Sequence, residues 1–151
     1  MNSLFVPPNS TIHNGTLNCG KNRVFILQTN NTSFVCVEID GKVEKDTPNK
    51  KCDYLVIKEL AEDIEIFIEL KGKKIQDAYE QIIESYTKYA NKSKGIKHYA
   101  VIVTSSISPN EHTKLQNIKL KLKNQNLEPY IKNNIIETRY NPNKNTIEKI
   151  N

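Results

Sequence analysis

The sequence predicts a single α/β domain built on a central mixed β-sheet flanked by helices. Three observations carry that expectation. Between residues 23 and 71, strand-length apolar runs alternate with short polar connections. From Ile75 the hydrophobic period becomes helical. Beyond that helix, residues 98–105 (HYAVIVTS) form a continuous apolar run with a second helical pattern behind it, the signature of a strand–helix–strand crossover. At 151 residues the chain has room for one core.

Residues 1–22 are rich in Asn, Ser, Pro and Gly and read as irregular structure. Residues 23–29 (RVFILQT) and 33–39 (SFVCVEI) are β-branched and aromatic, and Asn30-Asn31 between them predicts a hairpin. Residues 52–58 (CDYLVIK) and 64–71 (IEIFIELK) flank a short polar turn and predict a second antiparallel hairpin. Ile75, Ala78, Tyr79, Ile82, Ile83 and Tyr86 recur at helical spacing. Ser108-Pro109 starts a second helix over 110–124, with Leu115, Ile118 and Leu122 inward and lysines around them. A last strand near 130–138 and a polar tail complete the order β-β-β-β-α-β-α-β.

No apolar run approaches the roughly 20 residues that span a bilayer, so no membrane partner is expected. The start of the chain lacks the cationic and apolar regions of a signal peptide, and the expected location is the cytoplasm. The net charge of +5 is unevenly placed: residues 1–72 hold 8 basic and 10 acidic side chains, a net of −2, and residues 73–151 hold 14 and 7, a net of +7. A polyanionic partner held by the second half fits that split, with a solvated lysine surface as the alternative. Cys19, Cys36 and Cys52 form no C-x-x-C pair and are expected as reduced thiols.

The second hairpin carries the chemistry. With its turn centred on Ala61, cross-strand partners have numbers summing to about 122, so Leu55 faces Phe67, Asp53 faces Glu69 and Lys51 faces Lys71. Glu69 and Lys71 share a face of their strand, and Asp53, Glu69 and Lys71 converge at one hairpin end. Two carboxylates that close repel unless a cation lies between them. A divalent ion and an adjacent ammonium together make a phosphodiester-cleaving centre.

Asp53, then Glu69-Leu70-Lys71 at the end of an apolar strand, then a helix, resembles the PD-(D/E)XK nuclease superfamily over a core of about residues 33–105. The resemblance implies a restriction endonuclease-like fold, Asp53, Glu69 and the Leu70 carbonyl as ligands of Mg²⁺ or Mn²⁺, and Lys71 as the catalytic lysine. It also implies a Gln or Glu on the following helix, for which Gln81 is the first choice and Gln76 the alternative. Cys52 stands where the motif has Pro, and no acidic residue precedes Glu38. Glu38 and Asp40 share a strand face and offer a third carboxylate, with solvation at a strand edge as the other reading.

The resulting expectation is a Mg²⁺-dependent nuclease, an endonuclease acting on DNA rather than RNA, of the kind used in phage defence, recombination or repair. Such enzymes often dimerise to cut two strands, so a homodimer is also expected. The alternative is a non-catalytic nucleic-acid-binding or protein-interaction module that retained the nuclease fold.

Overall fold

Alternating Val, Ile and Phe build strands through the first half of the chain. In order they are β1 (Ser10–His13), β2 (Thr16–Cys19), β3 (Val24–Gln28), β4 (Phe34–Glu38), β5 (Tyr54–Lys58) and β6 (Ile64–Gly72). Helix α1 (Ile75–Tyr89) leads to β7 (Lys97–Thr104). A 3-10 turn (Pro109–Glu111) and α2 (His112–Asn124) lead to β8 (Leu127–Asn133), β9 (Ile135–Asn141) and β10 (Thr146–Lys149). The computed structural model describes residues 3–5, 8–72 and 74–151, and the side chain of Lys71 lies outside the described part.

The strands form two mixed sheets, ordered β1-β4-β5-β6-β7-β8 and β10-β9-β3-β2. In the larger sheet β4, β5 and β6 are the expected antiparallel meander. Strands β6, β7 and β8 then run parallel, with α1 and α2 as the crossovers. The β5–β6 register is the expected one, with Leu55 opposite Phe67 and Ile57 opposite Glu65. Its turn is made by Ala61 and Glu62, both in the left-handed region at φ 70° and 49°. Strand β7 has a parallel neighbour on each side and is buried from His98 to Thr104, as its unbroken apolar run predicts.

Five expectations need correction. Residues 10–19 are not irregular, because β1 pairs with β4 and β2 pairs with β3, partners that the local Asn- and Ser-rich composition does not reveal. Asn30 and Asn31 do reverse the chain, at φ 53° and 59°, but β3 and β4 are not a hairpin. The turn carries the chain from one packed sheet to the other, and Phe25 and Phe34 on its two sides are buried in the same core. The single strand near 130–138 is two strands, broken at Asn134 (φ 67°), with β8 in the larger sheet and β9 in the smaller. The polar tail contains β10, paired with β9. The second helix begins later than expected, and Ser108 precedes the 3-10 turn without a side-chain cap bond.

Strict alternation along β6 divides the core. Ile64, Ile66, Ile68 and Leu70 pack against Leu17, Phe25, Leu27 and Ile136 of the smaller sheet. Phe67 faces the other way, with Leu55 and Ile57, onto Ile75, Ala78 and Ile82 of α1 and Ile118 and Leu122 of α2. The layers are therefore sheet, sheet and helices, with β6 sandwiched between two apolar faces. Burying each of these large side chains contributes roughly 1.5–3 kcal/mol. Among the described residues, no helix is long and apolar enough to cross a membrane.

A candidate active-site cleft at the end of the meander

The start of β5 and the end of β6 are adjacent because the strands are antiparallel, so Asp53 and Glu69-Leu70-Lys71 meet at one end of the larger sheet. Backbone bonds fix Asp53 from both sides. Its N–H donates to the Ile68 carbonyl at 3.0 Å, and its carbonyl accepts the Ile39 N–H at 3.0 Å. The carboxylate is fixed as well, since Asp53 Oδ2 accepts the Leu70 N–H at 2.8 Å.

A cleft of about 420 Å³ opens here. Asp53, Tyr54 and Leu70 form its floor, Glu38 and Asp40 one wall, and Gly20 to Arg23 the other. Glu38 ends β4 and Asp40 follows it; both line the cleft with Asp53, and both remain part-exposed, Glu38 with Lys42 at 3.9 Å. Burial pushes the Tyr54 hydroxyl up to about 12, helped by Cys19, Glu38, Cys36 and Asp53 around it. At neutral pH Tyr54 is therefore a neutral hydrogen-bond donor on an acidic floor.

Glu69 is fully buried and does not line the cleft. By alternation it shares the helix-facing side of β6 with Glu65 and Phe67, so the carboxylate lies behind the cleft floor. Both carboxylates act on Cys52 beside them: burial pushes its thiol up to about 12, and Glu69 and Asp53 add to the rise. The register brings the two residues to the same end of the sheet, with Asp53 lining the cleft and Glu69 buried and outside its lining. Lys71 continues β6, but its side chain lies outside the described part, so its place among them is untouched. Gln81 is half-buried on α1 and is not part of the cleft lining. Gln76 is exposed and lines a separate hollow with Lys74, Glu111 and Lys114.

The residue that sequence reasoning missed is Arg23. Its Nε donates to the Leu70 carbonyl. Gly20 makes that approach feasible: it sits at φ +93°, and a Cβ there would lie 2.1 Å from the Arg23 carbonyl oxygen and 2.7 Å from Leu70 Cδ1. Only a residue without a side chain lets the smaller sheet's first loop lie this close to β6. A Gly just ahead of a strand is the one local signal, and it does not name its partner.

Among the described residues, no group of three or more His, Cys, Asp or Glu side chains is arranged to hold a metal ion. The donors that do meet here are oxygens, the Asp53 carboxylate and the Leu70 carbonyl, with the Glu69 carboxylate behind them. Oxygen donors suit a hard divalent cation, and the Leu70 carbonyl already faces one cationic group, the Arg23 guanidinium. Mg²⁺ or Mn²⁺ would take such oxygen donors, with the guanidinium displaced from the Leu70 carbonyl. No protein-family model, no curated protein and no solved structure matches the chain.

Proposed function

We propose that the chain is a divalent-metal-dependent nuclease that hydrolyses phosphodiester bonds in DNA, as an endonuclease with the cleft at Asp53 as its active site. One observation carries this reading: Asp53 Oδ2 is locked onto the Leu70 N–H at 2.8 Å, which fixes an Asp beside an acidic-x-Lys triplet on the neighbouring strand. The PD-(D/E)XK resemblance rests on that juxtaposition. The antiparallel meander followed by a parallel crossover, in the order β4-β5-β6-β7, supports it further.

In this reading Asp53, Glu69 and the Leu70 carbonyl would hold the ion, once the Glu69 carboxylate turns toward the cleft and the Arg23 guanidinium leaves the carbonyl. Mg²⁺ or Mn²⁺, when bound, polarises the scissile phosphate and its attacking water. The chain's own residues do the rest. Lys71 orients the water and meets the charge that builds on the phosphate oxygens. Lys21 and Arg23 on the cleft wall attract the neighbouring phosphates, because a phosphate matches a guanidinium's paired donors. Tyr54 supplies a neutral donor to a phosphate oxygen. Gln81, half-buried on α1, is the helix residue this reading would turn toward the site.

A second reading is favoured by the same arginine. A guanidinium on the Leu70 carbonyl is what a nucleic-acid-binding module without catalysis would keep where a nuclease places a metal. The test separates the two. Purified protein is incubated with supercoiled, linear and branched DNA and with RNA, with Mg²⁺, Mn²⁺ or chelator, beside Asp53→Ala and Lys71→Ala. Metal-dependent cleavage lost in both variants is expected. Binding that survives chelation with no cleavage by the native chain sinks the enzyme and leaves the module.

A further inference from the structure

Two of the three cysteines are in contact although they lie on different sheets. Cys19 ends β2 in the smaller sheet and Cys36 lies in β4 of the larger one, and their Sγ atoms are 3.7 Å apart. Both are reduced thiols, Cys19 buried and Cys36 partly buried. The sheets already converge at this point, because Gly20 next to Cys19 lies against Leu70 of β6. Each cysteine is also tied to one wall of the cleft. Cys19 precedes the Gly20–Arg23 wall, and Cys36 stands two residues before Glu38.

We propose that Cys19 and Cys36 are an oxidative modification site, at which a hydroperoxide converts the dithiol into a disulfide that fastens the two sheets beside the cleft. The Sγ atoms need to approach by less than 2 Å to reach the roughly 2.05 Å of a disulfide bond. Cys36, the less buried of the two, is the thiol a peroxide meets first. Its sulfur takes one oxygen from the peroxide and becomes a sulfenic acid, and the remainder leaves as water from hydrogen peroxide or as an alcohol from an organic hydroperoxide. The Cys19 sulfur then attacks that sulfenic sulfur, the S–S bond forms, and the hydroxyl leaves with the Cys19 proton as water. The peroxide is reduced and the two thiols are oxidised, with nothing left over.

Cys19 is held back as a first attacker, since its hydrogen bond to Cys36 and its burial push its thiol well above the usual range. Cys19 therefore acts second, as the thiol that resolves the sulfenic acid. Cys52 does not compete. It is fully buried, donates to the Tyr54 carbonyl at 3.4 Å, and is pushed up to about 12 by that burial. The inference is independent of the nuclease reading, because it needs neither metal nor substrate.

The full chain is reduced, treated with hydrogen peroxide in slight excess, denatured, alkylated and mapped without reductant. The expected result is a peptide joining Cys19 to Cys36 within one chain, with Cys52 alone taking the alkyl label. A rise in Tm of about 5–10 °C, reversed by dithiothreitol, should accompany it, since the bond closes a short loop. Cys36→Ser should abolish both effects, and Cys52→Ala should abolish neither. Three alkylated cysteines after peroxide, a link to Cys52, a link between chains, or an unchanged Tm would each overturn the proposal. The native chain's peptide map decides the matter even where a variant folds poorly.

Discussion

Strand β6 carries two buried carboxylates four residues apart on the same face, and the chain treats its two ends differently. At one end Glu65 is closed off by its own fold. His98 Nε2 lies 2.9 Å from Glu65 Oε1, the Asn91 N–H donates to the same oxygen at 3.0 Å, and the Tyr86 ring stands edge-on to the His98 ring at 5.2 Å. At the other end Glu69 lies behind an open cleft whose floor carries Asp53 and whose walls carry Glu38, Asp40 and Arg23. Burial is the same for both, so burial does not mark a functional acid. What distinguishes them is whether the neighbouring polar groups are consumed inside the fold or presented to solvent.

The largest expected effect tests the open end. Asp53→Ala should reduce metal-dependent DNA cleavage by about 10²–10³-fold, the scale on which removing a key electrostatic group slows a reaction. Stability should fall only by about 1 kcal/mol, for the lost bond to the Leu70 N–H. Cleavage assays and denaturant unfolding on the same preparation check both halves. A variant that unfolds without a specific loss of cleavage would make the two ends of β6 equivalent and dissolve the comparison.

At the closed end the expectation reverses. Glu65→Ala strips the partner from the buried His98 ring and from the Asn91 N–H, and should cost about 3 kcal/mol of stability. Cleavage per folded molecule should stay near that of the native chain. Glu65→Gln keeps an oxygen for the Asn91 N–H and should recover part of the loss. Urea unfolding provides the stabilities, and activity normalised to folded protein provides the contrast. A loss of activity that stability does not explain would place Glu65 in the site.

How much of this was legible in the sequence depends on the range of the contacts. The β5–β6 register followed from a local turn at Ala61, so Leu55 opposite Phe67 and Asp53 beside Glu69-Leu70 were both accessible from residue numbers. The direction of the Asp53 side chain was not, because Asp53 lies just ahead of β5, where strict alternation has ended. Arg23 was invisible for a stronger reason. Its place at the Leu70 carbonyl depends on β3 pairing with β2 and with β9, a strand more than a hundred residues away, and on a second sheet that no local period announces. The chain breaks at Asn134, between β8 and β9, by a left-handed residue, and an Asn in a polar stretch does not by itself say that a new sheet begins.

Gly20 is where the two sheets are fitted together, and it offers an intermediate test. Gly20→Ala places a Cβ against the Arg23 carbonyl at a backbone angle that favours glycine. The expected cost is about 1–3 kcal/mol, from left-handed strain together with the displaced loop. Because the loop carries Lys21 and Arg23, DNA affinity measured with chelator present should weaken as well. Arg23→Ala, which leaves the backbone undisturbed, should weaken affinity by about tenfold with a smaller effect on stability. If both variants bind DNA as the native chain does, the cleft wall has no part in holding phosphates.

The smallest expected effect lies at a third acid, Glu44, whose backbone bridges that of Asp40 and so steadies one cleft wall. Its side chain is 5% exposed and meets the Lys88 ammonium at 3.2 Å, with Tyr89 and Thr47 hydroxyls donating to it. Burial alone would raise its carboxyl, but the bonds from Tyr89, Lys88 and Thr47 outweigh burial and hold it below its ordinary value of 4.5. A carboxyl lowered by folding stabilises the folded state fully above the unfolded value, and that contribution is lost as pH falls through the folded one. Thermal unfolding followed from about pH 6 down to pH 3 should therefore show the native Tm falling more steeply than that of Glu44→Gln, by roughly a degree or two over the window. Glu44, like Glu65, has its partners inside the fold, so its titration should move stability while metal-dependent cleavage per folded molecule stays unchanged. Parallel Tm curves would mean that the Lys88 and Tyr89 contacts are made as well to a neutral side chain, and that charge at this wall of the cleft is indifferent to the fold.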